Sequence, residues 1–262
     1  QYRRPSSGCL AYLVVSGASG DDGREAAVVD PLRAFADRYA ADARERGAEL
    51  VYAVDTHVHA DHVSGVREVA ELTGATPVMS AGAADRGVTF GVETVADGDT
   101  LRVGDAAIGV HETPGHTTGM VSLQVGDTLL TGDTLFAPGV PRPDLQEGDA
   151  GAAEYARELH RTLTERFERF GDSVLIAPGH FTPGRSPAED GTYTARLGDL
   201  RGSLSVFSLD REAFTERVLA DMPPRPANFE TIIATNLGRE TLSDDDAFEA
   251  ELGPNNCAAA AD

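Results

Sequence analysis

The 262-residue chain contains no tryptophan, only two cysteines and, read residue by residue, no lysine. All 22 cationic side chains are therefore arginine, set against 43 Asp and Glu, for a formal charge of −21. A balance this acidic argues against nucleic acid and anionic membrane as partners, because like charge repels both. Small-molecule chemistry is the expectation that remains. Cys9 and Cys257 stand at opposite ends of the chain. They match neither a disulfide framework nor a zinc-ribbon spacing, which fits a reducing compartment and leaves any metal to histidine and carboxylate ligands. No apolar run reaches roughly eighteen residues and no basic-then-apolar leader is visible, so a soluble, cytoplasmic protein is expected.

What is present in excess is Asp, Glu, Ala and Gly. A surface built from these binds water and salt cations and stays soluble when its self-repulsion is screened, as a protein adapted to extreme salt would. The length suits one large α/β domain or two small ones. We expect a single domain over 1–262, with a core over about 8–182 and a helical extension over about 183–262.

Hydrophobic periodicity and turn signals predict a strand over 9–16, a hairpin turn over 17–23 and a return strand over 25–29. After Asp30-Pro31 come a helix over 32–46, a buried strand over 49–54, a helix over 65–73 and a strand over 76–80. Short strands through 88–95 and strands over 100–103 and 107–112 follow, then a hairpin of 120–125 with 128–131 around Gly126-Asp127. The rest reads as a helix over 152–170, a strand over 173–177, a loop over 182–192 and helices near 195–203 and 211–220. A last helix runs to about 236, and the acidic, Ala-rich tail is expected to fray. Alternating strands and helices mean packed α/β layers.

The chemistry concentrates at strand ends. His57, His116, Asp133 and His180 each follow a predicted strand, so their loops can converge on one sheet edge, where function usually sits. In His57-Val58-His59-Ala60-Asp61-His62, four ligand-type residues fall within six positions. Imidazole and carboxylate suit zinc, iron and manganese when thiolates are absent. An extended backbone turning into a helix can send His57 and His59 to one side and Asp61 and His62 to the other, making two adjacent ligand sets. The plain alternative is a polar helix start capped by Asp61 with solvated histidines. It leaves unexplained why ligand types recur at the other strand ends. His111, in a strand beside Glu112, and His160, on an amphipathic helix, read as ordinary half-buried or surface residues.

Together with Pro114-Gly115-His116-Thr117, Thr131-Gly132-Asp133 and Pro178-Gly179-His180, this segment resembles the metallo-β-lactamase superfamily in order and spacing over roughly 8–182. The resemblance implies an αβ/βα four-layer sandwich with the site at one edge. It also implies a metal-dependent enzyme, of one of two types. In the persulfide dioxygenase type, His57, His116 and Asp133 hold one Fe(II), and His59, Asp61, His62 and His180 stand behind it. Dioxygen and a low-molecular-weight thiol persulfide are then the substrates, giving sulfite and thiol. In the glyoxalase II type all seven residues hold two Zn(II), and a thioester is hydrolysed.

The segment Arg142-Pro143-Asp144-Leu145-Gln146 is similar to the dioxygenase pattern, as is Pro223-Pro224-Arg225-Pro226-Ala227-Asn228, and favours the first type. Pro141 in place of a glycine, and Phe181-Thr182 in place of Asp-Tyr, depart from it. Asp61 is the candidate acid/base group. Arg142 and Asp144 are candidate catalytic residues or, equally, a salt bridge that orders the loop below the metal. The family also makes a homodimer an expectation.

Overall fold

The computed structural model describes residues 1–17, 23–182, 185–220, 222–252 and 257–259. The predicted hairpin turn therefore lies mostly outside the described residues. The elements, in chain order, begin with β1 (Tyr2–Arg4), β2 (Cys9–Val15), β3 (Arg24–Val29), α1 (Ala36–Glu45), β4 (Ala48–Val54) and α2 (Val66–Thr73). Next come β5 (Thr76–Ser80), α3 (Ala81–Ala84), β6 (Glu93–Val95), β7 (Thr100–Val103), β8 (Ala106–Glu112), β9 (Val121–Val125) and β10 (Thr128–Gly132). The chain continues through α4 (Gly148–Thr164), β11 (Leu175–Pro178), β12 (Ala195–Arg196), α5 (Leu197–Ser203), α6 (Arg211–Ala220), α7 (Phe229–Asn236) and α8 (Asp244–Ala250).

Two six-stranded sheets result, ordered β1-β2-β3-β4-β5-β6 and β12-β11-β10-β9-β8-β7. In the first, β3 to β6 run parallel, as strand–helix–strand crossovers require, and β3 ends in an apolar run, Ala26 to Val29, buried throughout. In the second, β7 to β10 form an antiparallel meander, and β8 alternates, sending Ile108 and Val110 inward.

Three clusters of buried side chains separate four layers. Val29, Val54 and Val78 of the first sheet meet Ile108, Val121 and Leu123 of the second. On the outer face of the first sheet, Tyr39 and Ala43 of α1 and Val66 and Val69 of α2 pack on Ala26 and Val28. On the outer face of the second, Ala156, Leu159 and Leu163 of α4 join Leu200 of α5 and Phe214 of α6 over Leu129 and Ile176. The spacing of α4's buried residues, at intervals of three and four, is that of a helix with one apolar stripe. This is the expected αβ/βα sandwich.

Four local expectations need correction. Of the strands expected through 88–95 only β6 forms; Ser80 caps α3 by accepting from Ala83 N, which turns the chain into a helical turn. The helix expected from 195 begins at Leu197, because Ala195–Arg196 pairs with β11. The helix expected over 152–170 starts earlier, at Gly148, and gives way to a 3-10 turn over Arg166–Arg169. The tail does not simply fray: Ser243 caps α8, and Ala258 then bridges Pro141, with Arg142 N donating to the Cys257 carbonyl. Among the described residues no helix is long and apolar enough to cross a membrane.

Candidate metal centre

The expected strand ends converge at the edge where the two sheets meet. Two glycines make this possible. Gly132 has φ +46°, and a Cβ there would lie 2.3 Å from Thr56 Oγ1. A Cβ on Gly179 would lie 2.6 Å from Asp133 Oδ1, so the β10 and β11 ends can close on each other only as glycines, joined by Gly179 N donating to Gly132 O at 2.7 Å. The first sheet then reaches across. Leu10 N donates to Gly179 O and Phe181 N to Gly8 O, so β2 carries the His180 loop and sets Cys9 beside His180.

His57, His116 and Asp133 offer one ligand atom each, all within 4.8 Å of one another, and the three residues are at most 1% exposed. The hydrogen bonds behind them fix which nitrogen faces inward. Asp30 accepts from Thr56 N at 2.7 Å and from Thr56 Oγ1 at 3.0 Å. With its own proton so committed, Thr56 Oγ1 accepts from His57 Nδ1 at 3.0 Å. His116 Nδ1 donates to the Arg142 carbonyl at 2.7 Å. Both rings thereby present Nε2, and His116 Nε2 stands 3.8 Å from Asp133 Oδ2. His57 Nε2 and Asp133 Oδ2 are buried with no hydrogen-bond partner among the described residues, a costly state unless a cation takes their lone pairs. Burial, then the neighbouring His59 and His116, holds His57 well below the usual imidazole range, and burial likewise lowers His116. Neutral imidazoles are what a metal needs. Two histidines and one carboxylate on one face match a site that leaves coordination positions open.

His59, Asp61 and His62 form a second set, so the division falls after His57 rather than after His59 as expected. The His57 and His59 rings nevertheless sit only 4.1 Å apart. His59 Nδ1 and His62 Nε2 are also buried without partners among the described residues. His59 Nε2 donates to Asp30 at 3.2 Å, and although burial opposes it, Asp30 and Asp55 push His59 up to about 9. Burial also opposes charge on His62 and His180, yet carboxylates hold both well above the usual range: Asp61 for His62, and Asp133 with Asp61 for His180. His180 spends both nitrogens, Nδ1 on Asp133 at 2.7 Å and Nε2 on Asp61 at 2.8 Å. Asp61, against its burial, is held well below the carboxylate range by His62 and His180. A protonated imidazole has no lone pair for a metal, so this set must shed protons to bind one.

Sequence reasoning left metal binding to histidine and carboxylate; the structure also brings both thiols beside those ligands. Cys9 Sγ donates to Asp61 at 3.3 Å, and Cys257 falls within ligand distance of Asp133 and His180. Their 248-residue separation (257 − 9) gives no spacing signal, so only the fold reveals that both thiols reach the site.

Arg142 is 1% exposed and forks onto Asp144, with Nε to Oδ1 at 2.7 Å and Nη2 to Oδ2 at 3.0 Å. Its Nη1 donates to Pro224 O, and Arg225 Nε donates to the same Asp144 Oδ2 at 2.8 Å. Gln146 Oε1 accepts from Thr118 N. These side chains turn toward one another and toward the His116 loop. Asn236, which no sequence signal marked, grips the other loop: Nδ2 donates to His59 O and His62 O at 3.0 and 2.9 Å, and Oδ1 accepts from Ser64 N at 2.8 Å. His111 and His160 are the ordinary residues expected, bonded to Gln124 and to the Leu209 carbonyl. A cavity of about 160 Å³ beside the cluster opens over His180 and Cys257. None of His57, Asp61, His116 and Asp133 is among its lining residues.

A family profile described as Metallo-beta-lactamase superfamily matches residues 5–180. Persulfide dioxygenase ETHE1, mitochondrial, of Mus musculus is 34% identical over 184 residues, covering 69% of this chain and 66% of that protein. Hydroxyacylglutathione hydrolase of Methylococcus capsulatus is 40% identical over 184 residues, covering 64% of this chain and 67% of that protein. The crystal structure of ETHE1 from Myxococcus xanthus superposes with a TM-score of 0.76 at 29% identity, covering 92% of this chain and 98% of that one. The chain spans 66% of the length of the mitochondrial relatives it matches.

Proposed function

This chain belongs to the metallo-beta-lactamase superfamily, and from that footing we propose that it is a persulfide dioxygenase using one Fe(II). The observation that carries the reading is the asymmetry of the ligand set. His57 Nε2 and Asp133 Oδ2 are buried without partners among the described residues and lie within ligand distance of His116, whereas His180, which a second metal would need, has both nitrogens committed to carboxylates. The Arg142 to Gln146 segment and the similarity to proteins named persulfide dioxygenase support it.

His57, His116 and Asp133 would hold the iron, which supplies open coordination positions and a one-electron couple. The balance is R-S-SH + O2 + H2O → R-SH + SO3²⁻ + 2 H⁺. The outer sulfur is oxidised, dioxygen is reduced, and the sulfur–sulfur bond breaks with the thiol as leaving group. Thr56 and the Arg142 carbonyl fix the two imidazoles. His180 lines the cavity, with both ring nitrogens held by Asp133 and Asp61. Asp61, the expected acid/base group, accepts from His180 Nε2 and would act through that ring, which it helps to keep charged.

A dinuclear zinc thioester hydrolase is the second reading, favoured by the unpartnered His59 Nδ1 and His62 Nε2 and by the relatives named hydroxyacylglutathione hydrolase. Anaerobic purification, metal analysis and oxygen uptake with a persulfide decide between them. One iron per chain with sulfite release is expected. Two zincs with thioester cleavage and no oxygen consumption would overturn the proposal.

A further inference from the structure

We propose that the groove between α2 and α8 docks a basic amphipathic helix of a partner protein. This docking does not depend on which reaction the metal centre performs.

Exposed apolar side chains mark the place. Among the described residues three large apolar side chains are exposed, Leu72 at 47%, Phe248 at 56% and Leu252 at 54%. Leu72 on α2 and Phe248 on α8 line one groove of about 650 Å³, with the buried Ala36 and Ala247 between them. Single apolar side chains scattered over a surface need no cause, but two that share a groove in so acidic a chain mark a contact surface. The groove's walls are helices, whose backbone groups bond to one another, so no strand can add there. A helix with apolar residues at i, i+3, i+4 and i+7 can instead lay them between Leu72 and Phe248.

Charge then selects the occupant. Asp37, Glu68, Glu71, Asp244 and Glu251 also line the groove, and Arg33 is the one cation among the lining residues. Arg33 is committed to Glu68 and Asp244, and Glu251 to Arg4 and to Val63 N. Asp37 and Glu71 are exposed and pair with no cation among the described residues. Neighbouring arginines are directed elsewhere: Arg38 lies over Tyr2 and reaches Asp42, and Arg67 donates to Thr235 O. Arg44 lines a second hollow that shares Leu72. A second copy of this chain docked through the same face would set these acids against their own kind. A helix with arginine or lysine beside its apolar stripe meets them with opposite charge.

The test titrates the full chain by calorimetry at about 0.15 M KCl, using two synthetic peptides of roughly 18 residues, long enough to sample helix. Both hold the same leucines and arginines. In one the leucines lie on a single helix face; in the other they are spread around it. The facial peptide is expected to bind about tenfold tighter or more, the equivalent of burying one large apolar side chain. Phe248→Asp separates docking from mere attraction, because it adds negative charge while removing an apolar wall. Docking predicts that it weakens the facial peptide about tenfold at an unchanged melting temperature, whereas attraction alone predicts tighter binding. Glu71→Arg should weaken that peptide several-fold at about 0.15 M salt and less at about 1 M. Equal binding of the two peptides, or binding that Phe248→Asp leaves unchanged or tightens, overturns the proposal. So does a dimer in sedimentation equilibrium that Phe248→Asp dissociates, since the groove then belongs to a second copy.

Discussion

At the scale of single residues, the centre depends on side chains that never touch the cavity. Arg142 is the clearest case. Its carbonyl fixes the His116 ring, and the fork onto Asp144 fixes the backbone that carries the carbonyl. Lysine keeps the charge and loses the fork, so Arg142→Lys is expected to weaken metal binding and turnover by roughly 10–100-fold while the protein still folds. Titration with a competing chelator reads this; wild-type affinity and rate in the variant would refute the positioning role. The same cluster shapes the response to acid. Burial would raise the Asp144 pKa, but Arg142 and then Arg225 lower it, so its folded value lies below the unfolded value of about 4. Its stabilisation is therefore full above about pH 4 and is lost as pH falls through the depressed folded value. Arg225→Gln should cost stability at pH 7 and cost progressively less below pH 4 as Asp144 protonates. Denaturant unfolding of both proteins across that window checks the sign, and a gap that widens in acid would contradict it.

At the scale of elements, the last helices act as a clasp on the loop that carries His59 and His62. α7 delivers Asn236, whose amide satisfies two carbonyls and one N–H of the 59–64 segment. α8 delivers Glu251, which accepts from Val63 N at 2.6 Å. Asn236→Ala leaves three buried backbone groups unpaired, at about 1–3 kcal/mol for each. A lower melting temperature together with faster loss of bound metal is expected, and a variant that melts earlier yet holds metal normally would limit Asn236 to the fold. None of this was legible in the sequence. The His57 to His62 segment, Pro-Gly-His116, Gly-Asp133 and Pro-Gly-His180 were legible, because a ligand directly after an apolar run marks a strand end and a loop at once. The strands were legible for the same reason: β5 and β7 form over the very residues their apolar pattern indicates. α8 was hidden because three consecutive aspartates, Asp244 to Asp246, read as a charged tail, although at a capped helix start they favour the helix dipole. Cys9, Cys257 and Asn236 were hidden because what they touch lies far away in the chain.

At the scale of the whole molecule, composition and fold pull on stability in opposite directions. The three buried clusters favour compaction, while an excess of 21 negative charges over a 262-residue chain opposes it by self-repulsion. Many arginines are paired, as in Arg38 with Asp42 and Arg201 with Asp172, but exposed pairs contribute only about 0–1 kcal/mol each and weaken with salt. Repulsion among the surplus acids is the larger effect, so added salt should stabilise rather than destabilise. Screening shortens the Debye length from about 30 Å at 0.01 M to about 10 Å at 0.1 M. The melting temperature is therefore expected to climb steeply over that low range, equally for KCl and K2SO4 at matched ionic strength. A second, gentler rise at molar salt should depend on the anion, since sulfate strengthens apolar burial more than chloride does. Scanning calorimetry at both salts separates the two parts. A melting temperature that is flat or falling below about 0.5 M would show that the acidic surface is no burden to this fold, and would remove the physical basis for reading it as adapted to salt.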